Sequence, residues 1–343
     1  MRAIGNCSIV LQSMAKVAVA MRPIRRILVP IGDLQSRSRG VVDKAAQLAE
    51  ALGADIELFH DIATRVPVEG LGVPGYTLRG LKAASRRGAL DALERIGAPL
   101  RARGLKVSTG AVWDYPPHEA IVRRAVSIGA GLIVAPRRDR HRFAQILGYT
   151  DWELLRLSPI PVLLVKSTGV YSRPVVLAAI DPMHLFAKSS ALDQRILEQG
   201  TLVSRALRGS LHVVHAYQPS PRPPPPPGVR FDGRLPARIL QAVEHQARMA
   251  LNRALAKTAI PPGRRHLVLG HPSAAIPAAA RKIHSSIVVI GAVSRSGLNR
   301  LFIGNTAEEV IDDLRCDLLV VKPARFSSRI ARARRGVQFV STE

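Results

Sequence analysis

The sequence predicts an α/β protein of two tandem domains, each an open, doubly wound parallel sheet with helices on both faces. Three observations predict it. Short apolar runs such as Leu132-Ile133-Val134 and Ile287–Ile290 alternate with amphipathic stretches of helical period, the pattern of strands buried on both faces. The chain also overlies itself. Displaced by 156 residues, Trp113–Lys166 falls on Leu269–Lys322 without a gap, setting Pro116 on Pro272, Gly148 on Gly304, Thr150 on Thr306, Glu153 on Glu309 and Leu163–Lys166 on Leu319–Lys322. A period of that size is a duplicated domain rather than a solenoid unit. Finally, strands that alternate with helices pair in parallel through right-handed crossovers.

The elements follow in order. Residues 1–23 are expected to be a disordered extension; the segment is acid-free, its longest apolar run (Ser8–Leu11) is too short for a secretory core, and Met21 is the expected true start. Domain one is expected over 24–168. Its strands are Arg26–Asp33 (running into a polar loop), Asp55–His60, Leu105–Val112, Leu132–Ala135 and Val162–Val165. A helix over Gly40–Leu52 presents Val41, Ala45, Leu48 and Ala49 on one face, and Gly53 supplies its C-terminal stop. Ala63–Tyr76 reads as a Gly/Pro loop, Leu81–Arg103 as a long basic helix, and Pro117–Ser127 and Tyr149–Leu157 as shorter helices. Domain two, expected over 173–323 after a short link, repeats the order. Its strands are Val175–Ile180, Leu211–Ala216, His266–Leu269, Ile287–Ile290 and Leu318–Val321; its helices are Ser189–Leu207, Ala237–Lys257, Ala274–Ile283 and Thr306–Leu314. Pro219–Pro227 is a polyproline II spacer, and 324–343 is a basic C-terminal tail.

Composition narrows the function. The formal charge is +25, with five basic and no acidic side chains in residues 1–26, and six basic and one acidic in 322–343. Such a balance suits anionic partners, so a basic anion- or nucleic-acid-binding regulator stands as the alternative reading, although no aromatic stacking platform or helix-turn-helix signature supports it. Two cysteines, Cys7 and Cys316, make no disulfide framework and point to a reducing, cytoplasmic setting. No apolar run is long enough to span a bilayer. Phosphate-loop, dinucleotide, nucleophile-elbow and Cys/His nucleophile patterns are all missing, so no enzyme is expected. His212 and His215 face opposite sides of their strand, His266 and His271 read as ordinary polar histidines, and His118 and His141 have no ligand-spaced companions, so no metal site is expected.

In open sheets ligands bind beyond the strand C-termini, where the strand order reverses. If the reversal separates the first and fourth strands of domain two, Asp181 and the loop Gly291–Thr306 converge there. A base and ribose would sit near Asp181, and phosphates against the glycine loop and the following helix N-terminus. The candidate ligand-binding residues are therefore Asp181, Gly291, Ser294, Arg295, Gly304, Asn305 and Thr306.

These residues resemble the universal stress protein family, whose nucleotide-binding members carry Gly-x-x-Gly, nine residues, then Gly-Ser or Gly-Thr after the fourth strand. Here the frame is Gly291-Ala-Val-Ser294, then Arg295–Ile303, then Gly304-Asn305, and the runs Gly304–Asp312, Leu314–Val320 and Thr150–Arg156 resemble the tandem-domain type. The resemblance covers Ile24–Pro323. It implies two Rossmann-like domains with five-stranded sheets in the order 3-2-1-4-5 and an acidic residue, here Asp181, ending the first strand. It also implies fifth strands paired into an intrachain pseudo-dimer, with a homodimer as a further assembly. The function implied is stress adaptation without catalysis and without an obligate cofactor, the ligand being ATP, an AMP-like nucleotide or a lipid-like molecule. Two departures bear on the site. Ser294 replaces the second glycine, where a Cβ opposes positive φ by about 1–2 kcal/mol, and the hydroxyl moves to Asn305-Thr306. Domain one reads Ala135-Pro-Arg-Arg138, then Gly148-Tyr149, with Gly32-Asp33 ending its first strand, so its site is degenerate.

Overall fold

The computed structural model describes residues 23–35, 39–62, 65–67, 77–137, 150–183, 190–219, 236–292 and 310–340. In chain order the first half comprises β1 (Arg26–Pro30), α1 (Arg39–Leu52), β2 (Asp55–Asp61), β3 (Arg65–Pro67), α2 (Leu78–Ala102), β4 (Val107–Val112), α3 (Pro117–Ser127), β5 (Leu132–Pro136), α4 (Thr150–Leu157) and β6 (Val162–Val165). The second comprises β7 (Val175–Ala179), α5 (Ser190–Ala206), β8 (Ser210–Tyr217), α6 (Ala237–Ala254), β9 (Arg265–Leu269), α7 (Pro272–Lys282), β10 (Ile287–Gly291) and β11 (Asp317–Val321), with a final short β12 (Gln338–Val340). Residues 310–313 are helical; of the helix expected over Thr306–Leu314, residues 306–309 lie outside the described residues.

Ten strands form one sheet in the order β4-β2-β1-β5-β6-β11-β10-β7-β8-β9. Within each half every pairing is parallel, and the first strand lies between the second and the fourth. The halves join where β6 pairs antiparallel with β11, Val162 opposite Val320 and Leu164 opposite Leu318. The strand C-termini of the two halves therefore point in opposite directions. Side-chain alternation divides the sheet's residues between two cores, both of which cross the seam. Ile27, Val29, Leu163, Val176 and Ala178 pack under α1, α2, α5 and α6, whereas Leu28, Ile133, Leu164, Leu177 and Val288 pack under α3, α4, α7 and residues 310–314. Gly53 has φ +64°, as a left-handed helix stop requires, and Arg208 takes the same place after α5 at φ 52°.

Two expectations are corrected. The gapless overlay is one residue out in the middle of the repeat. Ile27 pairs with Leu132 and its counterpart Val176 pairs with Ile287, so β5 matches β10 at a displacement of 155, not 156. The buried faces of α3 and α7 agree, Ala120, Ile121 and Ala125 matching Ala275, Ile276 and Ala280. The distinction matters because a one-residue slip turns every strand side chain to the other face. It also makes Pro136, not Ala135, the counterpart of Gly291. The second correction concerns the ends of the chain. The Gly/Pro loop contains β3, and the basic C-terminal segment returns to it: β12 pairs parallel with β3, Phe339 opposite Val66.

One carboxylate organises the seam. Asp317 opens β11 with 0% exposure. Its Oδ2 accepts from Lys44 Nζ of α1 at 2.5 Å and from the Tyr171 hydroxyl at 2.5 Å. Its Oδ1 accepts from the backbone N–H groups of Lys166 and Ser167 at 2.8 and 2.9 Å and from Ser167 Oγ at 3.0 Å. Lys44 also donates to the Ser167 carbonyl at 2.8 Å and lies 4.7 Å from the centre of the Tyr171 ring. Burial, then the Asp317 charge and hydrogen bond, hold the Tyr171 hydroxyl well above its usual range. Lys166 donates across the seam to the carbonyls of Ile311 and Leu314. Its repeat counterpart Lys322 is 3% exposed and lies over the Phe326 ring at 4.9 Å.

Removing one member of a buried ion pair strands the other, at a cost of about 3–5 kcal/mol. Urea unfolding of Lys44→Met should show a loss in that range, and Asp317→Ala a larger one, because it also abandons two backbone donors; near-wild-type stability in both would refute the assignment. A pH test follows from Lys322. Burial, foremost, and Arg156 bring its amine down to about 7 from the usual 10.5. Between those values the unfolded chain holds more protons than the folded one, so stability rises with pH. Lys166, brought down to about 8 mainly by burial, adds to the rise, whereas Cys316, pushed up to about 11, opposes it above 9. Unfolding measured from pH 7 to 9 should show the increase, and Lys322→Met should flatten it.

Candidate functional site

The strand order in the second half reverses at β7, which is flanked by β10 and β8, and the loops leaving β7 and β10 open to one edge. Asp181 follows β7 at this edge and is 4% exposed. Its backbone N–H points at both carboxylate oxygens of Asp193, at 3.1 and 3.2 Å, and Asp193 is itself buried in the first turn of α5. The N-terminus of α5 suits that acid, because the first-turn N–H groups carry the positive end of the helix dipole. Gly291 ends β10 beside it: Val289 pairs with Ala178, so continuing the register sets Gly291 level with Ile180 and adjacent to Asp181. Asp181 and Gly291 are thus brought together. Ser294, Arg295, Gly304, Asn305 and Thr306 lie outside the described residues.

Gly291 carries a packing constraint that the motif does not reveal. A Cβ there would stand 2.6 Å from Leu192 Cδ2 and 2.9 Å from Ile196 Cδ1 on α5, and both side chains are completely buried. The residue lets a helix approach the strand, whatever it does for a ligand.

The pattern reading set His215 aside as a metal ligand and missed its bracing role. His215 on β8 is completely buried, with Nδ1 3.3 Å from the carbonyl oxygen of Ile180, immediately before Asp181. The first half repeats the feature: His60 Nδ1 lies 2.7 Å from the carbonyl oxygen of Ile31. A histidine from the second strand thus braces the end of the first strand in both copies. The signal was available, since aligning β2 with β8 sets His60 on His215, but the ungapped overlay began at Trp113 and did not reach it. His212, on the other face, meets His266 instead, Nδ1 to Nε2 at 2.9 Å with rings 4° from parallel. Burial, foremost, lowers the pKa of both, and one ring must donate while the other accepts. His118 is lowered to about 4, mainly by burial. Among the described residues no group of three or more His, Cys, Asp and Glu is placed to hold a metal.

The corresponding edge of the first half is built differently. Gly32 stands where Asp181 stands, and the neighbouring Asp33 is exposed and accepts from the backbone of Gln35 at 2.9 Å. Pro136 occupies the place of Gly291. A separate groove of about 590 Å³ opens at the other edge of the second half, before β10 and β11, lined by Arg281, His284, Arg315 and the interdomain link. It lies at the strand N-termini, away from Asp181.

A family model described as "Universal stress protein family" matches residues 23–166 and 175–322. Universal stress protein E of Escherichia coli K12 is 33% identical over 234 residues, covering 66% of this chain and 72% of that protein. The Haemophilus influenzae homologue of universal stress protein E is 30% identical over 229 residues, covering 64% and 71%. A solved putative universal stress protein from Pseudomonas aeruginosa UCBPP-PA14 has 28% identity and a TM-score of 0.67, covering 88% of this chain and 94% of that one. A functionally unknown protein from Pseudomonas aeruginosa PAO1 has 27% identity and the same TM-score, covering 88% and 93%. Among the described residues no helix is long and apolar enough to cross a membrane.

Gly291→Ala should overpack the α5 contact and cost about 1–3 kcal/mol in chemical denaturation; an unchanged midpoint would show that Leu192 and Ile196 yield freely.

Proposed function

The chain belongs to the universal stress protein family, and from that premise we propose that domain two holds a nucleotide-like ligand at its Asp181 edge, while domain one is a partner without a site of its own. The protein then acts in stress adaptation by binding rather than by catalysis. One observation carries the reading: Asp181 is buried beside Gly291 at the switch point of the second sheet, whereas the first sheet offers an exposed Asp33 and Pro136. The division between a kept and a lost site follows from these substitutions.

In this reading the Asp181 carboxylate accepts from ribose or base donors, as its position beyond the strand C-terminus suits. The loop that leaves β10 contributes Ser294, Arg295, Gly304, Asn305 and Thr306, whose glycine, hydroxyls and guanidinium match a phosphate group. Ser294 narrows the approach, which favours a small phosphate or a nucleoside with few phosphates.

Native mass spectrometry of the purified chain, followed by calorimetric titration with ATP and AMP, tests the proposal. Asp181→Ala should weaken binding at least ~10-fold, from the loss of charged hydrogen bonds worth about 1.5–3 kcal/mol. Gly304→Val should abolish it, and Gly148→Val in domain one should leave it unchanged. Affinity indifferent to both domain-two substitutions would overturn the assignment.

A further inference from the structure

We propose that domain one carries a docking surface for an arginine-bearing peptide segment, and that residues 330–340 of this chain are its resident but exchangeable occupant. The surface is a charged platform at the end of β4 and the start of α3. Asp114 is 1% exposed, and Arg123 bridges it to Glu119: Arg123 Nε and a terminal nitrogen donate to the two Asp114 oxygens at 2.8 Å, and its other terminal nitrogen to Glu119 Oε2 at 2.8 Å. Two carboxylates against one guanidinium leave a net negative charge, and the C-terminal segment supplies the balance. The Arg335 guanidinium donates to Glu119 Oε1 at 2.8 Å, its backbone N–H to Asp114 Oδ1 at 2.9 Å, and Arg123 returns a bond to the Ala331 carbonyl at 3.2 Å. The platform thus reads an arginine side chain together with backbone groups of a segment that bends at 332–333 and turns at Gly336, where φ is +77°.

Apolar anchors flank these bonds. Ile330 packs on the α3–α4 layer, and Val337 on the cluster of Ile62, Ala89, Ala111 and Trp113. β12 then adds in parallel to β3, a strand-addition mode of peptide recognition. Duplication provides an internal control. In domain two the positions matching Asp114, Glu119 and Arg123 are Gly270, Ala274 and Ala278. The platform is not inherited scaffolding of the fold; one copy has it and the other does not.

The occupant is lightly held. Residues 331–335 are all exposed, and the Arg335 side chain keeps 53% of its surface. A segment fixed by two apolar anchors, a short ladder and partly exposed ion pairs opens locally far more often than the sheet unfolds. Release would uncover the Asp114–Glu119 carboxylates and the edge of β3 together, the same features that would receive another arginine-bearing segment.

The test uses the full chain with a protease site introduced at Ser327-Ser328 and cut after folding. A fluorescent peptide of residues 324–343 should bind the cut protein saturably at one site once the native segment is washed out. Tethering gives the native segment a local concentration on the order of mM, so the uncut chain should bind the peptide about 100-fold more weakly. An Arg335→Ala peptide should bind at least about tenfold more weakly, and an Arg335→Glu peptide should regain affinity on a Glu119→Arg protein. Equal binding to cut and uncut chains, equal binding of the alanine peptide, or a cut segment that never exchanges would each overturn the proposal. Hydrogen exchange on the unmodified chain checks it independently. Amides of β12 should exchange faster than those of β5, and Arg335→Ala should accelerate them at least about tenfold; β12 exchanging only at the global unfolding rate would refute exchangeability.

Discussion

Asp317 is a fully buried carboxylate at the first residue of β11, and five donors from the other side of the seam converge on it. An intact buried pair adds little net stability, because desolvation offsets most of the attraction, but every arrangement that breaks it is costly. Its value here is registry. Apart from Asp317, β6 and β11 are short apolar strands, and nothing in Val162–Val165 against Leu318–Val321 distinguishes one antiparallel register from a slipped one. The carboxylate does distinguish them, since only one register brings Lys44, Ser167 and Tyr171 to it together. Gln47 reinforces the choice by exchanging hydrogen bonds with both backbone groups of Tyr171, at 2.7 and 2.8 Å. The device exists once. At the matching position of the other copy the residue is Pro161, so the join is asymmetric even though the strands it joins are equivalent.

Once the copies are joined they are free to diverge position by position, and the substitutions compensate one another. In domain one, Glu57 on β2 is buried and paired with Arg124 at 2.5 Å, and a Cβ on Gly110 would come 2.9 Å from that carboxylate. The three equivalent positions in domain two are His212, Ala279 and His266. There the guanidinium is lost, the glycine becomes a histidine, and the second histidine satisfies it at 2.9 Å. Neither arrangement would survive a single exchange with the other: a carboxylate facing His212's neighbours without Arg124 would be buried and unmatched. The brace from His60 or His215 to the end of the first strand, by contrast, is the same in both, which marks it as part of the scaffold.

Most of the fold was legible because parallel strands buried on both faces leave an unmistakable apolar signature, and because the duplication doubled each weak signal. β6 was placed to the residue, and the helix over Pro117–Ser127 likewise, since a proline at the first turn and a rising apolar stripe fix such a helix locally. The errors came from information that is not local. Matching glycines and prolines encouraged a gapless overlay, whereas the register is set by neighbouring strands, and one residue was gained and lost between Asp114 and Thr150. β3 and β12 were invisible because each is three residues long and neither has a pattern without the other. Asp181 and Gly291, expected at one edge from motif and topology, do lie side by side, but the clash that makes Gly291 a packing glycine needs α5 in place. The His60–His215 match was open to an alignment of β2 with β8, but the brace itself shows only with its partner carbonyl in place.

The polarity of the seam also explains why the two halves differ at their open edges. Antiparallel pairing of β6 with β11 sends the two sets of strand C-termini opposite ways, so the chain leaving Val321 starts at the end of domain one remote from its own open edge. To reach β3 it must run the length of the α3–α4 layer, which Ile330 and the Ala331 carbonyl trace, and at about 3.3 Å per extended residue the stretch from 322 to 337 is long enough. Among the described residues no such segment reaches the corresponding end of domain two, which has Gly270 in place of the acid that would hold one. Charge placement agrees: among the described residues Arg335 of the arginine-rich terminus meets Asp114 and Glu119 of the first copy. A direction imposed by one strand pairing thus covers one edge of the first copy with the protein's own chain.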